Sequence, residues 1–299
     1  MPYIFSPRQT FFTNLLGLTD NSAMSSPENT PQTLAFIGGG NMASAIIGGL
    51  LKQGTPAQRI LVVEPFEETR QRLESQFGVR VLASANATLG EAGLVIWAVK
   101  PQSFKEAAQQ TKAFCAQALH LSVAAGIRSD SIASWLGTER VVRAMPNTPA
   151  LVGLGQTGLF ARTAVSAADK TWVAQVVATT GALLWVTDEV LLDAVTAISG
   201  SGPAYVFFFI EAMVDAGVKM GLTAEQATQL AIGTFEGASH LAKTASESPS
   251  VLRERVTSKG GTTYAALTSM QKAHVGELFQ VALQAAQLRA HELGDEFGT

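Results

Sequence analysis

The chain contains a single cysteine, Cys115, which excludes an internal disulfide framework and any thiolate zinc cluster. It is also poor in charge: Asp, Glu, Lys and Arg make up 15% of the residues, against roughly a quarter in an average soluble domain. Nor is there an excess of basic residues. Twenty-one Lys and Arg face 24 Asp and Glu, a net charge of −3, so a nucleic-acid partner gripped through its phosphates is not expected. His120, His240, His274 and His291 stand far apart, without the spacing of metal ligands, and no metal is expected. No apolar run reaches the roughly 18 residues of a membrane span. The richest, Ala204 to Ile210, stops at Glu211. These absences lead us to expect a cytoplasmic protein with no membrane or nucleic-acid partner.

What is present is a chain of 299 residues, 47% of them hydrophobic. At about 150 residues per domain the length suggests two domains. With so few charges to cover them, contacts between subunits are expected. Residues 1–30 read differently from the rest. Pro2, Pro7 and Pro27 interrupt them, polar residues dominate after Asp20, and Phe11–Leu18 is too short for a secretory core. A disordered tail is the expectation, with a docking helix built on Phe11, Phe12, Leu15 and Leu16 as the alternative.

From Thr33 onward strand-like and helix-like segments alternate. Apolar runs at Thr33–Ile37, Ile60–Glu64, Val79–Leu82, Leu94–Ala98, Leu119–Val123, Val141–Ala144, Gly158–Ala161 and Leu183–Val186 predict strands. Helical patterns lie between most of them, so a parallel sheet covered on both faces is predicted over residues 31–190. After the first strand, Gly38-x-Gly40-x-x-Ala43 fits the dinucleotide fingerprint. In that pattern Gly38 allows the tight turn, Gly40 lets backbone approach a pyrophosphate, and Ala43 lets the helix pack closely on the strand. Glu64, at the end of the next strand, is placed to accept hydrogen bonds from the adenosine ribose, which favours NADH. Arg70 and Arg72 on the following helix are placed to meet the extra phosphate of NADPH, so either cofactor fits.

From Leu191 every segment reads as helix, giving an all-α layer over residues 191–299. The helix starting at Pro203 carries Val206, Phe207, Phe208, Phe209, Ile210, Met213, Val214 and Val218 around more than one face. Such a helix needs burial on several sides, and an obligate homodimer is the expected solution. Thr223 and Gln226 form a capping box for the next helix. Further on, Thr257-Ser258-Lys259-Gly260-Gly261-Thr262-Thr263 joins two helices. By spacing alone it is either an ordinary capped loop or an anion site made by free amides at a helix start.

Five blocks, taken in order, carry a family resemblance. They are Trp97-Ala98-Val99-Lys100-Pro101-Gln102, Ser122-Val123-Ala124-Ala125-Gly126-Ile127, Arg143-Ala144-Met145-Pro146-Asn147-Thr148-Pro149, Ser199-Gly200-Ser201-Gly202-Pro203-Ala204-Tyr205 and Val256 through Thr263. Over about residues 33 to 290 the chain resembles pyrroline-5-carboxylate reductase, the last enzyme of proline synthesis. The resemblance implies a Rossmann domain for NADPH or NADH followed by an all-α dimerisation domain, assembled as a homodimer or a pentamer of dimers. It implies that Ile37, Gly38, Gly39, Gly40, Asn41 and Met42 cradle the pyrophosphate. Ala98, Val99, Lys100, Pro101, Ala124 and Ala125 would line the route to the nicotinamide. The small-molecule substrate, 1-pyrroline-5-carboxylate, would be held by Ser258, Gly260, Gly261, Thr262 and Thr263, with the Thr263 hydroxyl on the imine nitrogen. The chain departs from the family pattern at two positions. Ala85 stands where the family usually carries an adenosine-side asparagine, leaving the neighbouring Asn86 as the candidate, and Lys259 replaces a common proline. A β-hydroxyacid dehydrogenase would instead need a lysine and an asparagine near Val206 and Phe209, where neither is present. A non-catalytic dinucleotide sensor would have no use for the Ser258–Thr263 loop.

Overall fold

The computed structural model describes residues 33–298; the expectation for residues 1–30 lies outside them. Eight strands form one sheet: β1 (Thr33–Ile37), β2 (Ile60–Val63), β3 (Arg80–Leu82), β4 (Ala92–Trp97), β5 (Leu119–Ser122), β6 (Val141–Met145), β7 (Gly155–Ala161) and β8 (Gly181–Trp185). Their spatial order is β3-β2-β1-β4-β5-β6-β7-β8. The chain therefore runs outward from β1 in one direction and then returns to start again beside it at β4. That reversal leaves a crevice beyond the carboxyl ends of β1 and β4, where open α/β sheets hold ligands.

Five helices cover the sheet: α1 (Asn41–Lys52), α2 (Glu67–Phe77), α3 (Pro101–Thr111), α4 (Ser129–Leu136) and α5 (Ala167–Ala178). The alternation of side chains along β1 feeds two cores. Leu34 and Phe36 join Ile46, Ile47 and Leu73 on one face, while Ala35 and Ile37 join Trp97, Phe104 and Ile132 on the other. Fully burying a side chain the size of Phe36 contributes about 2 kcal/mol, so strands apolar on both faces are held from both sides. Trp97 stacks on Phe104 with ring centroids 4.9 Å apart, which ties β4 to α3.

One expectation is corrected. The sheet is not parallel throughout, because β7 runs antiparallel to β6. Between Met145 and Gly155 the chain makes only a short 3-10 turn, Thr148–Val152, and a parallel crossover needs a dozen or more residues. α5 then supplies that length, and β8 returns parallel to β7.

Beyond the sheet come α6 (Leu191–Val195), a π-helical turn over Thr196–Gly200, α7 (Gly202–Lys219), α8 (Ala224–Thr244), α9 (Pro249–Arg255), α10 (Thr262–Lys272) and α11 (Val275–Phe297). Thr223 and Gln226 do form the capping box at the start of α8. An 18-residue window within Leu191–Lys219 has a mean hydropathy of 1.4, so this helical stretch is long and apolar enough by length and composition to cross a membrane. That corrects the sequence count, which ended its apolar run at Glu211 although the helix continues past it. Its side chains find little cover within one chain: Phe207 is 60% exposed and Phe208 65%.

Two polar clamps fix this layer to the sheet. Glu189, just before α6, accepts from the Ser129 amide at 2.6 Å and from Arg143 Nη1 at 2.6 Å. Its other oxygen takes the Ser129 hydroxyl at 2.5 Å. Asn147 is buried between layers; its Nδ2 donates to the Ser199 carbonyl at 3.0 Å and its Oδ1 accepts from the Gln156 amide at 2.8 Å. The π-helical turn, a geometry often met at functional sites, is thereby pinned to the loop after β6. The end of α11 also returns to the sheet layer, where Arg128 Nη2 meets Asp295 at 2.9 Å.

Candidate active site

The β1–α1 turn is built by three glycines with different tasks. Gly38 has a φ of +94°, and a Cβ on it would stand 2.6 Å from the Ala98 carbonyl oxygen. No L side chain fits either the conformation or the space. Gly38 also donates its amide to Val63 at 2.8 Å, which locks the turn between the ends of β2 and β4. A Cβ on Gly39 would strike Leu73 at 2.6 Å. At Gly40, the N-cap of α1, a Cβ would meet nothing within 4 Å, and no side chain caps the helix. The first amides of α1 are thus left without a side-chain cap, as an anion seat requires.

This turn forms the floor of a crevice of about 570 Å³. Its walls bring together Ile37, Gly38, Gly39, Gly40, Glu64, Ala98, Val99 and Lys100, each singled out from the sequence. Asn41, Met42 and Ala43 continue into α1, with Ala43 fully buried against the sheet. Pro101 opens α3. Ala124 and Ala125 follow β5, with Ala124 buried and its amide 3.3 Å from the Ser122 hydroxyl. None of these six lines the crevice.

Two residues make hydrogen bonds within the chain that the sequence did not suggest. Asn86 is not in the crevice wall. Its side-chain oxygen caps a short 3-10 turn by accepting from Thr88 N at 2.9 Å, and Ala85 faces the crevice in its place. Glu64 is 6% exposed and does not project freely. Its Oε2 accepts from the Gly39 amide at 2.8 Å and its Oε1 from the Phe66 amide at 3.0 Å. Sequence reasoning also missed Ser103, Glu106, Ala107, Gln110 and Thr111, which line the crevice as well. Their spacing is that of a single helix face, and it was visible once α3 was placed after the Val99-Lys100-Pro101 block.

The second element is the bend before α10. Gly260 has a φ of +77°, Gly261 donates its amide to the Ser258 carbonyl at 2.9 Å, and no side chain caps the helix. The amides of Thr262, Thr263 and Tyr264 consequently lack intrahelical acceptors. The Thr257 hydroxyl is committed to Arg253 at 2.6 Å. No residue beyond Thr111 enters the crevice wall, so this bend and the glycine turn do not share that crevice within one chain.

Burial raises the Cys115 thiol to about 11, which removes it as a thiolate nucleophile. Among the described residues no group of three or more His, Cys, Asp and Glu could hold a metal ion.

Residues 33–126 match the family model described as NADP oxidoreductase, coenzyme F420-dependent, and residues 189–293 match that for pyrroline-5-carboxylate reductase dimerisation. The pyrroline-5-carboxylate reductase of Pseudomonas aeruginosa is 44% identical over 272 residues, covering 90% of this chain and 99% of that protein. The solved structure of the Coxiella burnetii enzyme superposes with a TM-score of 0.83 at 37% identity, covering 88% and 98% of the two chains. The Plasmodium falciparum pyrroline carboxylate reductase, solved with NADP bound, gives 0.78 at 28% identity over 88% and 98%. Its sheet layer, helical layer and sequence all match theirs across nearly the full length, and the chain belongs to the pyrroline-5-carboxylate reductase family of NAD(P)H-dependent oxidoreductases.

Proposed function

We propose a division of labour in which residues 31–190 hold NADPH or NADH and residues 191–299 hold 1-pyrroline-5-carboxylate, reduced at its C=N bond to L-proline. The carrying observation is a pair of helix starts left uncapped by side chains, α1 after Gly38–Gly40 and α10 after Gly260–Gly261. The first suits a pyrophosphate and the second a small carboxylate. The cofactor, when bound, supplies a hydride to the C5 carbon. Amides of Thr262 and Thr263 and the Ser258 hydroxyl hold the substrate carboxylate. The Thr263 hydroxyl hydrogen-bonds the imine nitrogen, which keeps the proton gained from solvent as the amine of proline. The imine can arrive already protonated, so no strong general base is needed. The chain contributes chiefly near-attack positioning.

The bend must reach the crevice for this chemistry, and the partner copy provides the route. Exposed Phe207, Phe208, Leu230, Leu241, Leu278 and Val281 form an apolar surface on the helical layer that a second copy covers. A pentamer of dimers and a cytoplasmic location belong to the same reading; light scattering of the purified chain tests the assembly. The activity is tested by mixing the chain with pyrroline-5-carboxylate and NADPH or NADH and following the reduced nicotinamide's absorbance. Absorbance should fall with at least one cofactor; no loss with either would overturn the proposal.

A further inference from the structure

We propose that Glu64 makes this chain select the dinucleotide that lacks a 2′-phosphate, NADH over NADPH. The inference rests on the crevice beside Gly38–Gly40 being the dinucleotide site, and it deepens that reading by choosing between the two cofactors.

Four observations support it. Glu64 directly follows β2, the strand whose end meets the adenosine ribose in this kind of sheet, and with Pro65 and Phe66 it lines the crevice. Its carboxylate cannot swing away, because the amides of Gly39 and Phe66 hold one oxygen each, at 2.8 and 3.0 Å. Each oxygen keeps a second lone pair for a ribose hydroxyl. A phosphate at that place has no hydroxyl to donate and brings its own negative charge against a fixed one.

The third observation concerns the arginines that the sequence sets against Glu64. Arg70 Nη1 donates to the main-chain carbonyls of Glu64, at 2.9 Å, and Pro65, at 2.7 Å. Arg72 Nη2 donates to the Gly39 carbonyl at 2.9 Å, and its Nη1 lies 3.3 Å from the Ser44 hydroxyl. Both guanidinium groups brace the backbone around the turn, and neither lines the crevice. Fourth, the charged residues of the crevice wall are Glu64, Glu106 and Lys100. Lys100 follows β4, two strands from β2 in the sheet order, which is roughly 10 Å at about 4.8 Å per strand. The ribose end of the crevice is thus acidic.

The test uses the full chain. Calorimetric titration with ADP-ribose and with its 2′-phosphorylated form measures the preference without turnover, and kcat/KM for NADH and NADPH measures it with turnover. The wild type should favour the form without the phosphate by about tenfold or more, the scale of one like-charge contact near a protein surface. Glu64→Gln should cut the preference about tenfold by removing the charge. Because that change also loosens the Gly39 turn, Phe66→Arg provides a second arm. Phe66 is 72% exposed, so a guanidinium there adds a cation at the rim without disturbing the core. It should raise affinity for the phosphorylated form. Equal binding of the two forms by the wild type, or a preference unchanged in both variants, overturns the inference. Discrimination in binding with no turnover on pyrroline-5-carboxylate would instead overturn the proposed reaction and leave the selector intact.

Discussion

Mild acid should destabilise this protein through His120. The imidazole is 1% exposed on β5, and its Nδ1 accepts from the indole N–H of Trp97 at 3.1 Å. That bond requires a lone pair on Nδ1, so the ring is neutral with its proton on Nε2, for which no well-formed partner exists among the described groups. Adding a proton would charge a ring that burial keeps from water and would replace the lone pair facing Trp97. Burial lowers the pKa to about 4, Arg140 pushes in the same direction, and the Cys115 backbone offsets part of the shift. A histidine depressed on folding stabilises fully above its unfolded value and loses that stability as pH falls toward its folded value. Between the unfolded pKa of about 6.5 and the folded value the unfolded chain binds more protons, so stability declines by about 1.4 kcal/mol per pH unit. At about pH 5 the accumulated loss is about 2 kcal/mol, approaching about 3 kcal/mol near pH 4. Urea unfolding at fixed protein concentration, compared at about pH 7.5 and 5 for the wild type and His120→Asn, isolates this contribution from titrating carboxylates. The variant, which can still accept from Trp97, should lose about 2 kcal/mol less on acidification. Equal losses in the two proteins would refute the account.

Gly38→Ala, which must hold φ at +94° with Cβ 2.6 Å from the Ala98 carbonyl, should cost at least about 2 kcal/mol and abolish dinucleotide binding by calorimetry. Glu189→Ala leaves the Arg143 guanidinium, with its side chain 9% exposed, without its carboxylate; a loss of about 3 kcal/mol is expected in denaturant melts. Thr263→Ala should lower kcat strongly while leaving dinucleotide affinity unchanged. Gly40→Asp adds a carboxylate in open space at the head of α1 and should abolish cofactor binding without unfolding the chain, as near-unchanged melts would verify. Equal mixing and refolding of these last two impaired chains should bring activity to about a quarter of the wild type's, since half the dimers would carry one intact shared site. No recovery in mixed dimers shown to form would refute the shared site.

The sequence alone determined the features set by local backbone chemistry. Gly38 was legible because a tight turn between strand and helix demands a positive φ, and the doubly apolar strands announced a sheet covered on both faces. The bend at Gly260–Gly261 was legible for a similar reason, as a helix start without a side-chain cap, although spacing could not distinguish a capped loop from an anion seat. Tertiary structure decided what depends on partners distant along the chain. Only the fold shows that Glu64 is pinned by Gly39, that Arg70 and Arg72 are occupied by carbonyls, and that Asn86 caps a turn while Ala85 faces the crevice. The direction of β7 and the crevice wall on α3 likewise emerged only once the strands were assembled. A residue's type limits which hydrogen bonds it can make; which of them it does make is decided by the groups folding brings within about 3 Å.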